Sequence, residues 1–486
     1  MPSTLVFAAP QFATTGGANS RATAVADLDH NGIADVVVAN ETSASVSVLS
    51  GAADGSLVAG VSLTAPSLVA GLAVGSVDAD RWLDIVATSG VGAEAVLLRS
   101  TGGGTFAAPA PFAMPWPARK LGLVDWTGDG KLDLVAASST TAEVALLAGD
   151  GVGGFGAPVV AATSTVVADF ALVDTQGDGR PDLVCVGEGA LRLDTLRNNG
   201  AAGFLPVVFS AAPALGTSLV ACDLDRNLVP DLVALDLAGS TAMVFLGDGV
   251  GGFALVGGRS LAAGRVGSLA LTDLDADGKT DLVATAGARI VVAYGDGMGG
   301  LQPVQTLYVD AAGANWVAAT DLLGDGLVDL VYVSGSNRVG MLRNPKGAPV
   351  GVVPYGDGTP DCRGRIAMSA NGSPRLGNAE YGYRVTNAPA NAVGVLVQGG
   401  PPNITGGDPF GLGVRLHLGI GLATTRLAFS NQVGECFLLE PIPSDPGFVG
   451  LPVYVQTLWQ ADLANTCSPS PVGYVSSAGL ASTVQP

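Results

Sequence analysis

Apolar residues in this chain come in short bursts separated by turn formers, and the pattern repeats. In the first unit Thr23-Ala24-Val25-Ala26 runs into an acidic loop at 27–35, and Val36-Val37-Val38-Ala39 leaves it. A polar turn follows at 40–43. Ser45-Val46-Ser47-Val48-Leu49 then alternates with period 2, a Gly-rich turn occupies 51–55, and 57–63 is extended again. Period-2 alternation, Val enrichment and turn-forming punctuation predict strands, and no helical periodicity accompanies them. Each unit reads as four short strands.

The acidic loop recurs, with its first position at Asp27, Ser76, Asp125, Asp174, Asp223, Asp273 and Asp321. Successive spacings are 49, 49, 49, 49, 50 and 48 residues, and a fixed period of that size marks a repeat architecture. Seven four-stranded antiparallel units predict a β-propeller, one sheet per blade around a central axis. A straight solenoid would need polar capping repeats, whereas the first and last units are as apolar as the middle ones. The ends of the array point to ring closure. Phe106-Ala107-Ala108-Pro109 and Phe155-Gly156-Ala157-Pro158 begin fourth strands, and the seventh unit stops after its third strand near Arg343-Asn344-Pro345. Phe7-Ala8-Ala9-Pro10 stands alone at the start of the chain. Residues 5–13 are therefore predicted to complete blade seven.

The loops carry the candidate chemistry. The sixth, 273–281, is the most complete, with Asp273, Asp275, Asp277 and Asp281 at positions 1, 3, 5 and 9 and Gly278 at position 6. Calcium takes six to eight oxygens, and a carboxylate at every second residue can wrap one ion; the glycine permits the positive φ that such a bend needs. An EF-hand opens in the same way but ends on a bidentate Glu at position 12. Here position 12 is Ala284, in a run that reads as strand. The first loop has oxygen ligands Asp27, Asp29, Asn31 and Asp35, with Gly32 in place. The third and fourth offer Asp125, Asp129, Asp133 and Asp174, Asp178, Asp182, with Thr127 and Gln176 as neutral substitutes at position 3. The fifth keeps Asp223, Asp225, Asn227 and Asp231 but places Leu228 where glycine should stand, so its bend is expected to be strained. The seventh has Asp321, Asp325 and Asp329, with Leu323 at position 3. Position 7, which an EF-hand fills through its backbone carbonyl, adds Ile33, Lys131, Arg180, Val229, Lys279 and Leu327 to the sets. The second loop is the poorest: Ser76 replaces the first carboxylate and Arg81 the glycine, so its guanidinium is expected to pair with Asp78, Asp80 or Asp84 in place of an ion. Polar turns in which Asp accepts backbone amides are the alternative for every loop, and the better reading for the second. The whole set predicts about five or six calcium ions.

The combination of Asp-x-Asp-x-Asp-Gly-x-x-Asp with the Phe-Gly…Gly-Ala-Pro turn resembles the FG-GAP repeat, also called VCBS-type, of integrin α-subunit propellers and many secreted bacterial proteins. The resemblance covers roughly 340 of the 486 residues. It implies a seven-bladed propeller, calcium in the loops between first and second strands, and an extracellular setting.

The fold class expected is all-β: a seven-bladed β-propeller closed by the N-terminal strand (1–345), a linker (346–354) and a β-sandwich-like C-terminal domain (355–486). In the tail, Tyr381-Gly382-Tyr383-Arg384-Val385, Val414-Arg415-Leu416-His417-Leu418 and Pro452-Val453-Tyr454-Val455-Gln456 read as strands. It weakly resembles C-terminal β-domains that follow such repeats in secreted bacterial proteins. Five cysteines leave either one tail disulfide, with Cys362–Cys436 favoured, or three free thiols at Cys362, Cys436 and Cys467. Cys185 and Cys222 stand where other copies have Ala136 and Ala26 and are expected in the core.

A net charge of −19 argues against nucleic acid, whose phosphates call for a basic face. No apolar run approaches the ~18 residues of a membrane helix. The start, Met1-Pro2-Ser3-Thr4, lacks the basic and apolar regions of a secretion signal, so export would require a signal removed ahead of it. Two histidines give little support for acid–base catalysis; His30 reads as a solvent-facing filler in the first loop, and His417 alternates with leucines. The Asn-x-Ser/Thr sequons at Asn40, Asn371 and Asn403 are given no role. A ligand is expected on the face opposite the calcium loops, near Trp116, Arg119, Lys120, Glu188, Asp236, Arg265, Arg289, Asn315 and Arg338. The function expected is a monomeric, non-enzymatic, extracellular binding or adhesion module for a protein or glycan. A polysaccharide lyase on the same scaffold is the enzymatic alternative, and a surface-layer component a third.

Overall fold

The computed structural model describes residue 7 and residues 10–344, except 53, 79, 214, 237, 262–265, 276 and 323–326, and beyond them mainly the strands between 352 and 483. Seven four-stranded antiparallel sheets carry the array. Blade one consists of Ser20–Ala26, Asp35–Asn40, Ser45–Gly51 and Leu57–Thr64, and blades two to six repeat that order. First strands are innermost. Each packs beside the first strand of the next blade, and Ala314–Thr320 of blade seven returns to Ser20–Ala26 of blade one. The ring is closed.

Closure takes the predicted route, but the paired strand is Gln11–Thr14, and residues 106–109 and 155–158 precede the fourth strands Ala110–Ala113 and Val159–Ala162 instead of beginning them. Gln11–Thr14 pairs antiparallel with Arg338–Leu342, Gln11 opposite Met341 and Thr14 opposite Arg338. Phe7 is buried with Leu274, Ile290 and Leu342, and Phe12 meets Tyr332 edge-on at 6.2 Å with the Arg338 guanidinium 4.1 Å over its ring. The backbone of Thr15 donates to the Asn337 carbonyl at 3.1 Å.

Second strands explain the loss of alternation in the sequence. A blade is covered on both faces by its neighbours, so Asp35–Asn40, Asp84–Ser89, Asp133–Ser138, Asp182–Gly187, Asp281–Ala286 and Asp329–Ser334 are buried throughout. A strand buried on both faces reads as a continuous apolar run. Fourth strands, such as Val159–Ala162, lie at the rim and are largely exposed. Cys185 and Cys222 are buried as expected.

The described part of the tail forms two principal sheets and a short two-stranded pair, Pro360–Asp361 with Gly364–Arg365. Val352–Tyr355, Val393–Gly400, Gly419–Phe429, Pro452–Gln460, Tyr474–Ser476 and Gly479–Thr483 make the larger; Ala367–Ala370, Gly382–Thr386 and Cys436–Leu439 make the smaller. Both contribute to one core around Tyr383, Val385, Leu396, Val455 and the fully buried Trp459, which is the sandwich arrangement. Two of the three predicted tail strands are present, and the larger sheet begins at Val352, inside the stretch read as linker. Residues 414–418, Cys362 and Cys467 lie outside the described residues, and with them the Cys362–Cys436 pairing.

Candidate metal centres

Each acidic loop joins a first strand to a second, and its ninth residue is the first residue of that second strand. In all seven blades this aspartate accepts two backbone amides. One oxygen takes the N–H at the end of the third strand (Gly51, Ser100, Gly149, Asn198, Gly247, Gly295 and Asn344, all at 2.8–2.9 Å). The other takes the N–H of loop position 2 (Leu28, Val77, Trp126, Thr175, Leu224, Leu274 and Leu322, at 2.8–3.2 Å). Position 2 in turn offers its carbonyl to the following blade: Gly153 N–H reaches Val77 at 3.2 Å, Asn198 Nδ2 reaches Trp126 at 2.7 Å, and Asn344 Nδ2 reaches Leu274 at 2.8 Å. Thus Asp35, Asp84, Asp133, Asp182, Asp231, Asp281 and Asp329 tie loop to blade, whether or not the rest of the loop is acidic.

Position 1 shapes the bend. Asp27, Asp125, Asp174, Asp223 and Asp273 each accept the amides of positions 5 and 6, for instance Asn31 and Gly32 on Asp27 at 3.1 and 2.8 Å. That geometry needs position 6 in the left-handed region, where Gly32 and Gly278 have φ of 88° and 80°. Leu228 holds the same bend at φ 67°, the strain expected of a side chain there. Position 4 is left-handed too, at His30 and Arg226 (58° and 65°), which the acidic pattern gave no reason to expect.

Three loops bring carboxylate oxygens within 4.8 Å of one another: Asp27, Asp29 and Asp35; Asp223, Asp225 and Asp231; and Asp273, Asp275 and Asp281. These are positions 1, 3 and 9. The third and fourth loops, with Thr127 and Gln176 at position 3, do not assemble such a trio. Their position-5 carboxylates instead meet the position-7 cations, Asp129 with Lys131 at 3.3 Å and Asp178 with Arg180 at 2.6 Å; Asp277 and Lys279 do the same at 2.9 Å in the sixth loop. In the seventh, Asp321 and Asp329 are buried, while Leu323 and Asp325 lie outside the described residues. The second loop is closed differently from expectation: the Ser76 hydroxyl donates to the Asp80 carbonyl, the Arg81 guanidinium lies 4.7 Å over Trp82, and Arg99 approaches Asp78 at 4.0 Å. His30 is not a solvent-facing filler. Its ring packs 4.7 Å from Trp82 of the next blade, because the left-handed backbone turns it inward, and burial lowers its pKa.

Burial dominates the electrostatics. It pushes Asp27 and Asp35 up to about 7, with neighbouring carboxylates adding to the rise, and Asp231 up to about 6. Asp281 is raised well above the usual carboxylate range by burial, then by Asp273 and Asp275. A dication among three crowded, all-oxygen donors relieves that repulsion, and hard oxygen sets suit calcium. The donor chemistry fits.

An FG-GAP-like repeat model matches residues 77–135, 125–185, 174–234 and 273–332. Those stretches are FG-GAP-like repeats. The ring is similar in fold to BBS1N, solved in complex with ARL6DN: 12% identity over 72% of this chain and 99% of that one, TM-score 0.52. A second crystal of the same complex gives 11% identity, 71% and 98% coverage, and TM-score 0.53. An Agrocybe aegerita lectin that recognises non-reducing terminal N-acetylglucosamine matches at 20% identity over 60% of this chain and 80% of its own, TM-score 0.46. No curated protein matches the chain in sequence. Among the described residues no helix is long and apolar enough to cross a membrane.

The opposite face offers fewer groups than its sequence promised. Trp116 is only 8% exposed and belongs to the core with Met114 and Leu121. Lys120 pairs with Asp169 at 2.7 Å, Asp236 accepts the amides of Ser240 and Thr241, and Arg338 covers Phe12. Arg265 lies outside the described residues; Arg119, Glu188, Arg289 and Asn315 are exposed. Sequence reasoning missed apolar tips on the loop-bearing face: Val152, Val250 and Met298 are 69%, 64% and 80% exposed. All three hold the same place in the Gly-Asp-Gly-x-Gly-Gly turn, which was the available signal.

Proposed function

We propose that this FG-GAP-like propeller is a calcium-stabilised extracellular module that binds a protein or glycan. The carrying observation is the convergence of carboxylates at positions 1, 3 and 9 in the first, fifth and sixth loops. In this reading those loops hold calcium first, at an extracellular affinity of order 10⁻⁴–10⁻³ M, and the third, fourth and seventh bind more weakly. The ion supplies charge neutralisation and a cross-link between first and second strands. Asp27, Asp223 and Asp273 set the bend, Asp29, Asp225 and Asp275 add ligand oxygens, and the position-9 aspartates keep each site against its blade. The partner is taken on the exposed loops around Arg119, Glu188, Arg289 and Asn315. Support for a binding role comes from BBS1N, a propeller of this fold solved with a protein partner.

The test is a metal count with a thermal melt in calcium and in chelator. Three bound ions in saturating calcium and a melting temperature raised by calcium are expected; no bound metal and superimposable melts would overturn the reading. Glycan and extracellular-protein arrays probed in calcium then test the binding role, which fails if neither array retains the protein.

A further inference from the structure

Among the described residues, tail side chains lie against the sixth loop. Arg384, from the smaller tail sheet, is only 1% exposed, and its Nε stands 3.8 Å from Asp273 Oδ2. One of its Nη atoms donates to Thr272 Oγ1 at 3.3 Å. Directly opposite Arg384 on the neighbouring strand is Phe437. A Cβ placed on Gly278 would lie 2.5 Å from the Phe437 ring, so the ring rests on the bare glycine at position 6. From the fifth loop, the Arg226 guanidinium lies 5.5 Å from the centre of the same ring and donates to the Gly278 carbonyl. A cross-strand Arg–Phe pair thus grips the loop at positions 1 and 6.

We propose that the tail sandwich docks on the sixth loop through Arg384 and Phe437, and that the Arg384 guanidinium and calcium compete for the loop's negative charge. This rests on the calcium reading above. The sixth loop carries carboxylates at positions 1, 3, 5 and 9 against a single Lys279, and it is the loop that receives the buried arginine. A buried guanidinium is stable only while counter-charge faces it. A dication ligated by Asp273 withdraws that counter-charge and repels the guanidinium at close range. Linkage makes the effect reciprocal: docking weakens calcium binding at this loop, and calcium there weakens docking, by one common factor. Among the described residues no tail arginine lies against the carboxylates of the first and fifth loops, and those loops are expected to be free of this coupling. Gly278 has two tasks, the positive φ and the flat seat for Phe437.

The experiment uses the full chain with calcium as the probe. Calorimetric titration of the parent and of Arg384→Met is expected to show one site tightened about tenfold or more in the variant and the others unchanged. Hydrogen exchange of the unmutated chain covers the case in which the variant does not fold: calcium should increase exchange in Gly382–Thr386 and Cys436–Leu439 while protecting the loops. Calcium binding with identical affinities in both proteins, or with no change in those strands, overturns the competition and leaves the calcium reading standing. No calcium binding at any loop overturns both.

Discussion

Replacing Asp84 by alanine separates the two roles that an acidic loop residue can have. Asp84 occupies position 9 of the loop least suited to an ion, is fully buried, and accepts Val77 N–H at 3.0 Å and Ser100 N–H at 2.8 Å. Asp84→Ala leaves both amides buried without an acceptor, at about 1–3 kcal/mol each. Part of that is returned, because burial already pushes this carboxyl up to about 7 and its removal relieves the desolvation. A net loss of about 2–3 kcal/mol remains, which for a domain this large lowers the melting temperature by roughly 4–6 °C. The loss should be the same in calcium and in chelator. Asp281→Ala removes the same pair of bonds, to Leu274 and Gly295 at 2.9 Å, and also a member of a carboxylate trio. Its penalty should therefore be larger in calcium than in chelator. Differential scanning fluorimetry of both variants under both conditions decides the matter. An Asp84→Ala protein that melts with the parent would refute the clamp, and a calcium-dependent Asp84→Ala shift would refute the assignment of the second loop as metal-free.

Deleting residues 1–14 should open the ring, since it removes buried Phe7 and the strand paired with Arg338–Leu342; a loss of about 3–6 kcal/mol follows from one buried aromatic and the lost strand pairing, and an unchanged urea midpoint would sink the closure model. In chelator, stability should fall as pH rises. The folded pKa values of Asp27 and Asp35, about 7, lie above the ordinary carboxylate value of 3.8, so their contribution is complete below about 3.8 and lost as pH climbs through 7. Melts at pH 5.5 and 8.0 should rank in that order without calcium, and saturating calcium should narrow or reverse the gap.

Much of the ring was legible because its determinants are local. A period of about 49 residues, Val-rich runs and Asp-Gly turns each act within a few residues, and the orphan Phe7-Ala8-Ala9-Pro10 could be matched to its counterparts by inspection. The acidic loops were legible as a group but not in their division of labour. Positions 1 and 9 look alike as letters, yet Asp273 folds the loop on itself while Asp281 ties it to the third strand. That difference depends on a partner 14 residues away across the blade. The inward turn of His30 onto Trp82 and the burial of Trp116 arise from contacts between blades, which periodicity within one blade does not encode. The Arg384 contact with Asp273 joins residues 111 positions apart, and nothing in either local sequence announces the other.

The closing strand also has a consequence for synthesis. Thr15 meets Asn337 across a separation of 322 residues. A ribosome adding about 5–20 residues per second takes roughly 16–64 s to deliver that partner. Throughout that interval Phe12 and the strand around it have no native place to go, while blade one, made next, already has all four of its strands. The nascent chain must therefore hold a short, apolar, unpaired strand in reserve until nearly the whole ring has emerged. Docking of Gln11–Thr14 on Arg338–Leu342 is thus the step that closes the ring, and it waits until blade seven has been made.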